Sequence, residues 1–137
     1  MTIPSIFFRL AMLGILVMMS ATSASHAQRI YDASGSTIGS VDGNRFYDGR
    51  GRTIGRVDDN RVYDARGRSI GRIDRDRIYD KRGRNTGRID GNRLFDARGR
   101  TIGRIDGNRI YDERGRYIAR TEGLTQRQII LFYYFFF

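Results

Sequence analysis

Residues 29–124 consist of six consecutive units of sixteen residues, with no insertion between them. The units read RIYDASGSTIGSVDGN, RFYDGRGRTIGRVDDN, RVYDARGRSIGRIDRD, RIYDKRGRNTGRIDGN, RLFDARGRTIGRIDGN and RIYDERGRYIARTEGL. We number the positions within a unit as places 1 to 16, so that place 1 is Arg29 in the first unit and Arg45 in the second. A strict period of this kind predicts one supersecondary structure per unit and a core formed by packing between neighbouring units.

Two groups of turn residues recur along the repeat. Asp at place 4 and Gly at place 7, as in Asp32 and Gly35, are typical of the first and last residues of a type I turn, and a Gly with positive φ closes a three-residue hairpin loop. The second group, Asp-Gly-Asn at places 14 to 16, has Asp59 and Arg75 instead of Gly in two units. Because place 16 is Asn or Asp in five of the six units, we expect the left-handed residue there.

The segments between the turns are too short for helices and are rich in β-branched and aromatic residues, which favour strands. Apolar residues occupy places 2, 3, 10 and 13, except at Thr86 and Thr121, and form the predicted core. The sequence therefore predicts an all-β fold, in which six sixteen-residue β-hairpin repeats form a closed or nearly closed antiparallel meander barrel. We assign residues 28–124 to this domain.

Glycine also recurs at place 11, inside the longer predicted strand. Ile38 and Val41 are three residues apart and would face opposite sides of a regular strand. Gly39 between them indicates either a bulge that brings both side chains to one face or a close approach of another part of the chain. The sequence leaves both interpretations open.

Pairing of the first strand, residues 29–32, with the last, residues 116–120, would close the barrel and remove its exposed edges. A ring of about twelve strands is wider than the roughly eight whose own side chains fill the interior. Either another segment or water must therefore occupy the middle.

The C-terminal segment, residues 125–137, supplies a candidate plug. Its last nine residues carry no charged side chain: Ile129, Ile130, Leu131, Phe132, Tyr133, Tyr134, Phe135, Phe136 and Phe137. As a helix they would be about 13.5 Å long, which matches the roughly 10 to 15 Å that tilted strands of four to six residues reach along a barrel axis. We predict a central helix, with a thirteenth strand or a membrane contact as alternatives.

Residues 1–27 have the pattern of a secretory signal peptide: a positive charge at Arg9, a ten-residue apolar run and mostly small residues thereafter. We expect cleavage between Ala27 and Gln28, and an exported protein in the periplasm or outside the cell, with an uncleaved membrane anchor as the alternative. After this cleavage the mature chain would contain no His, Cys, Met or Pro. It would then lack the usual general base, a thiolate nucleophile and soft metal ligands, so we predict no enzyme, no cofactor and no metal site.

The net charge is +10, and arginine supplies nearly all the cations because Lys81 is the only lysine. Arginine at place 12 would form a ring around a closed barrel, and we predict it as an anion-binding site: Arg56, Arg72, Arg88, Arg104 and Arg120. Export argues against nucleic acid as the partner and favours an anionic envelope polymer or lipid. The alternative is that Arg and Asp pair across strands as a solvated face.

The six-fold YDxxGRxIGRIDGN unit, the predicted signal peptide and the aromatic C-terminal run together resemble the β-flower proteins, short symmetric barrels of repeated hairpins. This resemblance covers essentially the whole mature chain; it implies a fold and no biochemical role. The opening Tyr31-Asp32-Ala33-Ser34-Gly35 is also similar to the Tyr-Asp repeats of Rhs-type secreted shells, although those repeats are longer.

Three classes of function are compatible with the sequence. The favoured class is an exported, non-catalytic structural or interaction module of the cell envelope. The second is a binder of envelope polyanions or anionic lipid through the arginine ring and the aromatic tail. The third is a membrane-associated barrel, whose tail resembles the closing strand of an outer-membrane protein. The oligomeric state is open.

Overall fold

The structure, a computed structural model, describes residues 28–137. The predicted signal peptide, with its cleavage position after Ala27, lies outside these residues. Each of the six units forms one short and one long strand. The strands are β1 (Gln28–Asp32), β2 (Thr37–Asp42), β3 (Arg45–Asp48), β4 (Thr53–Asp58), β5 (Arg61–Asp64), β6 (Ser69–Asp74), β7 (Arg77–Asp80), β8 (Asn85–Asp90), β9 (Arg93–Asp96), β10 (Thr101–Asp106), β11 (Arg109–Asp112) and β12 (Tyr117–Glu122).

The twelve strands form a closed antiparallel barrel in which each strand pairs with its neighbours in the chain. The seam is the pairing of β1 with β12, where Arg29 lies opposite Glu122 and Asp32 lies opposite Ala119. Closure leaves no unpaired edge on which another chain could add a strand. The predicted all-β hairpin meander is therefore confirmed in its closed form.

The loop between the two strands of a unit has the predicted geometry. The Gly67 N–H donates to the Asp64 carbonyl at 3.0 Å, and the Asp64 N–H donates to the Arg68 carbonyl at 2.9 Å. Gly67 has φ +81°, as a residue that closes this kind of loop requires. The Asp64 carboxylate accepts from the N–H groups of Arg66 and Arg68, both at 2.9 Å, so the aspartate holds the loop together.

The turn between units differs from the prediction. Positive φ occurs at place 15, where Gly43 has φ +61°, Asp59 +54° and Arg75 +56°, and not at place 16. These loops contain two residues, because Asp42 pairs directly with Arg45. A positive φ at the first loop residue alone is the mark of a type II′ turn, in which the second residue has an ordinary φ and Asn gives no advantage. The expectation of a left-handed residue at place 16 is therefore wrong.

Both interpretations of the place-11 glycines hold. Ile30 pairs with Gly39 and Tyr31 with Thr37, so Ile38 is skipped by the ladder and forms a bulge that recurs in every unit. Ile38 packs against the core from this position. A methyl carbon built on Gly39 would also lie 2.9 Å from Cε2 of Phe132, so the glycine permits a close approach as well.

The core consists mainly of residues at places 2 and 13. They are buried, apart from the half-buried Val57: Ile30, Val41, Phe46, Val62, Ile73, Ile78, Ile89, Leu94, Ile105, Ile110 and Thr121. Place 3 does not belong to this core, because it follows a buried place 2 and successive side chains on a strand face opposite sides. The aromatic residues at place 3 lie instead on the outer wall, where they contact arginines.

A single helix, α1 (Gln126–Phe135), follows the last strand. Thr125 caps it: the Thr125 hydroxyl accepts from the Gln128 N–H at 3.2 Å, and the Gln128 side chain accepts from the Thr125 N–H at 2.9 Å. The helix therefore begins in a polar turn three residues before the apolar run and ends at Phe135. The predicted helical span of 129–137 is wrong at both ends, and the alternative of a thirteenth strand is wrong as well.

The aromatic residues at the end of α1, together with Phe136, pack against the long strands of five of the six units. Methyl carbons built on the place-11 glycines would meet five consecutive rings of the chain: Phe132 at Gly39, Phe136 at Gly55, Phe135 at Gly71, Tyr134 at Gly87 and Tyr133 at Gly103. These glycines lie on β2, β4, β6, β8 and β10 in turn. One short helix therefore presents a separate ring to each of five units.

Candidate anion-binding site

The predicted arginine ring lies on the outer wall. Gly103 and Ile105 are buried, so Arg104 between them points away from the barrel interior. The same holds at place 12 of β4, β6, β8 and β12, while β2 has Ser40 there. The barrel therefore brings the five predicted arginines into one belt, with a gap at the first unit.

Each place-12 arginine stacks on the place-3 aromatic ring of the following unit. The distances from the guanidinium carbon to the ring centroid are 4.3 Å for Arg56 on Tyr63, 4.0 Å for Arg72 on Tyr79, 4.2 Å for Arg88 on Phe95, 4.2 Å for Arg104 on Tyr111 and 4.3 Å for Arg120 on Tyr31. The last of these contacts crosses the seam. Cation–π contact explains why place 3 is aromatic although it is not part of the core.

The ion pairs between residues 28 and 137 are local. At place 8, arginine pairs with the place-4 aspartate of its own loop, as Arg68 does with Asp64 at 2.9 Å. At place 12, arginine lies near the acid at place 14 of its own strand: the distances are 3.7 to 3.9 Å to aspartate, and 2.7 Å from Arg120 to Glu122. None of these ion pairs joins two strands. The register nevertheless places the acid at place 14 directly opposite the place-1 arginine of the following unit, as Asp58 lies opposite Arg61, so the alternative of Arg and Asp facing each other across strands has the neighbours it requires.

Arginines face each other across the two strands of each unit from the second to the sixth. The opposed pairs are Arg45 and Arg56, Arg61 and Arg72, Arg77 and Arg88, Arg93 and Arg104, and Arg109 and Arg120. The place-1 members of these pairs are exposed and take part in none of the ion pairs found in the described part of the chain. Like charges directly opposite each other are unfavourable in a sheet, so another interaction must offset the repulsion within each pair.

Sequence reasoning missed the place-1 arginines. Place 1 and place 12 are eleven residues apart in every unit, and only the register of the hairpin makes them neighbours. The bulge at place 10 sets that register, since it shifts the ladder by one residue between the Phe46–Gly55 and Tyr47–Thr53 pairs. The recurring glycine at place 11 was the available signal.

An open groove next to the arginine pairs repeats from unit to unit. One groove is lined by Arg45, Thr53, Gly55, Arg56, Asp64, Ala65 and Gly67. A second is lined by Arg61, Ser69, Gly71, Arg72, Asp80, Lys81 and Gly83, which are the residues sixteen positions later in every case. The second and third units therefore carry equivalent grooves, each lined by two arginines and a Thr or Ser.

The carboxylates in these grooves are fully engaged. The Arg68 N–H lowers the pKa of Asp64 below its ordinary value, and the equivalent hydrogen bond lowers the pKa of Asp48, Asp80, Asp96 and Asp112. In the first unit the Ser34 hydroxyl lowers the pKa of Asp32. The loop aspartates thus stay charged at neutral pH, with their oxygens occupied by the loop's own donors.

The predicted plug residues differ in exposure. Ile129, Ile130, Leu131 and Phe132 are buried, residues 133–136 are half-buried, and Phe137 is 56% exposed. The Tyr133 hydroxyl donates to the Ile102 carbonyl and the Tyr134 hydroxyl to the Phe95 carbonyl, both at 2.8 Å. Burial raises the pKa of Tyr134 to about 12, so this hydroxyl keeps its proton and remains a donor.

Other kinds of site have little support between residues 28 and 137. No group of three or more His, Cys, Asp or Glu residues in this part of the chain could hold a metal ion. Within the same residues, the helix that the structure contains does not have the length and apolarity needed to cross a membrane.

The family model described as "5-fold beta-flower protein" matches residues 27–137. No curated protein and no solved structure matches the chain. The match covers both the hairpin barrel and the C-terminal helix. On this evidence the chain belongs to the β-flower family.

Proposed function

We propose that the protein is an exported, non-catalytic β-repeat module of the cell envelope, and that its arginine-bearing outer wall binds anionic envelope polymers or lipid head groups. The observation that carries this proposal is the set of opposed arginine pairs. Their place-1 members form no direct ion pair within the described chain, although an aspartate lies opposite each of them on the preceding strand. The guanidinium group is suited to phosphate because its planar fork donates two hydrogen bonds at once.

The ion pairs separate structural arginines from available ones. Place-8 arginines bind the loop aspartates and stabilise the turns. Place-1 arginines do neither, and place-12 arginines lie at 3.7 to 3.9 Å from the nearest aspartate in four units. A solvated structural wall explains the aspartate opposite each place-1 arginine on one neighbouring strand, but not the arginine opposite it on the other. This recurring pair of cations favours the polyanion binder within the broader class of interaction modules.

In this proposal α1 is a structural plug of the barrel. Its support is the contact of five consecutive rings with glycines on five different strands, together with the burial of residues 129–132. The Arg127 guanidinium adds a polar anchor at the other end of the helix, because it donates to the Asp59 carbonyl at 2.7 Å and to the Asn60 side chain at 3.0 Å. A tail used in this way leaves only Phe137 well exposed, which disfavours the tail as the main membrane contact.

Retention on anionic surfaces tests the binding part of the proposal. The mature protein, residues 28–137, is passed over immobilised lipopolysaccharide, over vesicles that contain anionic lipid and over vesicles of neutral lipid, in a series of salt concentrations. We expect retention on the anionic surfaces that weakens as salt increases. Equal retention on neutral vesicles, or none on any surface, would contradict the proposal.

Fractionation tests the location separately. The full chain is expressed with a C-terminal tag in a bacterial host, and the envelope fraction is analysed by intact mass. We expect a species that begins at Gln28. A species that still contains residues 1–27 and stays with the cytoplasmic fraction would overturn the export proposal without affecting the binding result.

A further inference from the structure

The opposed arginines have the composition of a two-cation clamp. In the third unit Arg61 lies opposite Arg72, and the Ser69 hydroxyl group lines the same groove. Cross-strand neighbours have Cβ atoms about 4.5–5.5 Å apart, close enough for one small anion to contact both side chains. Three carboxylates are nearby. Asp80 is held by its own loop, and Asp74 lies 3.7 Å from Arg72. Asp58 lies opposite Arg61 in the ladder, but its ion-pair contact is with Arg56, at 3.9 Å.

One member of each clamp is held in position and the other is free. The Arg72 guanidinium is fixed over the Tyr79 ring at 4.0 Å, which reduces the conformational entropy that it would lose on binding. Arg61 is exposed and is absent from the ion pairs among residues 28–137. An anion between them would turn an unfavourable contact between like charges into a bridged, favourable one.

The six units are not equivalent in this respect. The first has Ser40 opposite Arg29 and so lacks the second cation. In the sixth, Glu122 binds Arg120 at 2.7 Å, and Arg109 lies over the Tyr117 ring at 5.8 Å, so both arginines are already engaged. The second to fifth units have two arginines, of which the place-12 member has only a long contact to aspartate and the place-1 member faces an aspartate without forming an ion pair with it.

We propose that each of the second to fifth units binds one phosphate-type oxyanion between its place-1 and place-12 arginines, giving four equivalent sites on the outer wall. This inference rests on the proposed polyanion binding and assigns it to particular residues. The clamps are Arg45 with Arg56, Arg61 with Arg72, Arg77 with Arg88, and Arg93 with Arg104.

The spacing of the clamps suits a polymer. Equivalent strands of neighbouring units are separated by two inter-strand distances, which is roughly 9.5 Å. A flexible chain of phosphate groups can therefore occupy several clamps at once, and binding at the second clamp becomes intramolecular after the first. Single phosphate groups bind the same clamps weakly, and a phosphate polymer binds them tightly.

The first experiment uses inorganic phosphate and follows the arginine Nε–Hε signals of the mature protein by NMR at constant ionic strength. We expect saturable shifts at the eight clamp arginines and none at Arg66, an exposed loop arginine of the third unit. The variant Arg61→Gln should abolish the shift at Arg72 and leave the other three clamps unchanged. Equal shifts at clamp and loop arginines would overturn the inference.

A gain of function provides the second test. Ser40→Arg places a guanidinium opposite Arg29, with Tyr47 next to it in the ladder as a stacking surface. We expect a fifth phosphate-responsive site, seen as a new shift at Arg29. A shift that is no larger than in the parent protein, in a variant whose amide spectrum shows an intact fold, would count against the clamp geometry.

A third experiment, with polyphosphate, distinguishes failure of the clamp sites from failure of polyanion binding as a function. Polyphosphate binding is measured at several salt concentrations for the parent and for the charge-matched variants Arg61→Gln and Arg66→Gln. We expect Arg61→Gln to lower the slope of log K against log salt by about 0.7–0.9, the change for one lost phosphate contact, and Arg66→Gln to change it much less. Equal effects of the two variants on polyphosphate binding would overturn the clamp sites and leave polyanion binding intact. If inorganic phosphate shifts the clamp arginines but polyphosphate does not bind, polymer binding alone is overturned.

Discussion

The close contact between Gly39 and the plug yields a prediction that can be worked through in detail. A methyl carbon on Gly39 would lie 2.9 and 3.2 Å from two carbons of the Phe132 ring, and 3.1 Å from the Tyr47 carbonyl oxygen. Gly39 does not have a positive φ, so alanine fits the backbone and only space is lacking. Overpacking costs about 1–3 kcal/mol and the entropy advantage of Ala over Gly returns about 0.5–1 kcal/mol, so Gly39→Ala should destabilise by about 0–2.5 kcal/mol.

The partner substitution Phe132→Leu removes the ring carbons that the methyl group would meet. It should cost about 1–2 kcal/mol, less than the roughly 3–5 kcal/mol of truncation to alanine, so the variant is expected to fold. In this background Gly39→Ala should become neutral or stabilising, because only the entropy gain remains. The two substitutions should therefore couple by about 1–2 kcal/mol, within the range seen for residues in contact.

Thermal and urea unfolding followed by circular dichroism measure all four proteins of this cycle. A matched control is Ala119→Gly, which makes the opposite change at the same place of the sixth unit, where alanine is fully buried. We expect it to destabilise the barrel through lost burial and added chain entropy. Additive effects of Gly39→Ala and Phe132→Leu would show that the ring does not press on β2, and would refute the argument for a closely fitted plug.

Three further predictions concern the turns. Arg75→Gly should stabilise by about 1 kcal/mol in urea unfolding, since Arg75 has φ +56° and glycine adopts such a φ without strain; an unchanged midpoint would contradict this. Gly67→Val should destabilise by more than about 1 kcal/mol although the space around Gly67 is open, because its φ is +81° and a β-branched residue resists that value; an unchanged melting temperature would contradict it. The pKa of Asp64 is lowered in the folded state, so its charge contributes stability above the unfolded pKa near 3.9, and this contribution is lost as pH falls through the folded value. Asp64→Asn should therefore be less stable than the parent at neutral pH, with a difference that shrinks below about pH 4; a pH-independent difference would contradict the argument.

Much of the fold could be derived from the sequence because the repeat reports the same local choice six times. A single Asp-x-x-Gly motif is weak evidence for a turn, but Asp64 and Gly67 recur at the same places of every unit with the same hydrogen bonds. The number of strands and their antiparallel order follow once each unit is taken as a hairpin, whereas the choice between a closed and a nearly closed barrel is made by the pairing of β1 with β12 in the structure. Repetition thus replaces the comparison of homologues that a chain of unique sequence would need.

The wrong predictions share one physical cause: the order of residues in the chain does not show which side chains lie opposite each other on neighbouring strands. The apolar character of Tyr111 predicts a place in the core, but the structure places it under Arg104 on the outer wall. The sequence gives no sign that Arg93 lies beside a binding residue, because it faces Arg104 only after the bulge has shifted the ladder. The position of positive φ in the turn between units likewise depended on a loop of two residues, which the sequence alone did not distinguish from a longer loop.

The C-terminal segment supplies five buried or half-buried rings, but the barrel has six long strands, and the sixth unit differs from the others at place 11. Rings 132–136 account for the glycines of the first five units, and the sixth unit has Ala119 at place 11. Phe137 contacts the Phe132 and Tyr133 rings, at 6.0 and 5.7 Å between centroids. Those two rings face β2 and β10, the nearest long strands on either side of β12. Phe137 is nevertheless largely exposed, whereas Ala119 is fully buried. Place 11 is therefore glycine in the five units where a ring of the C-terminal segment packs against it. It is alanine in the sixth unit, where the segment has no further buried ring.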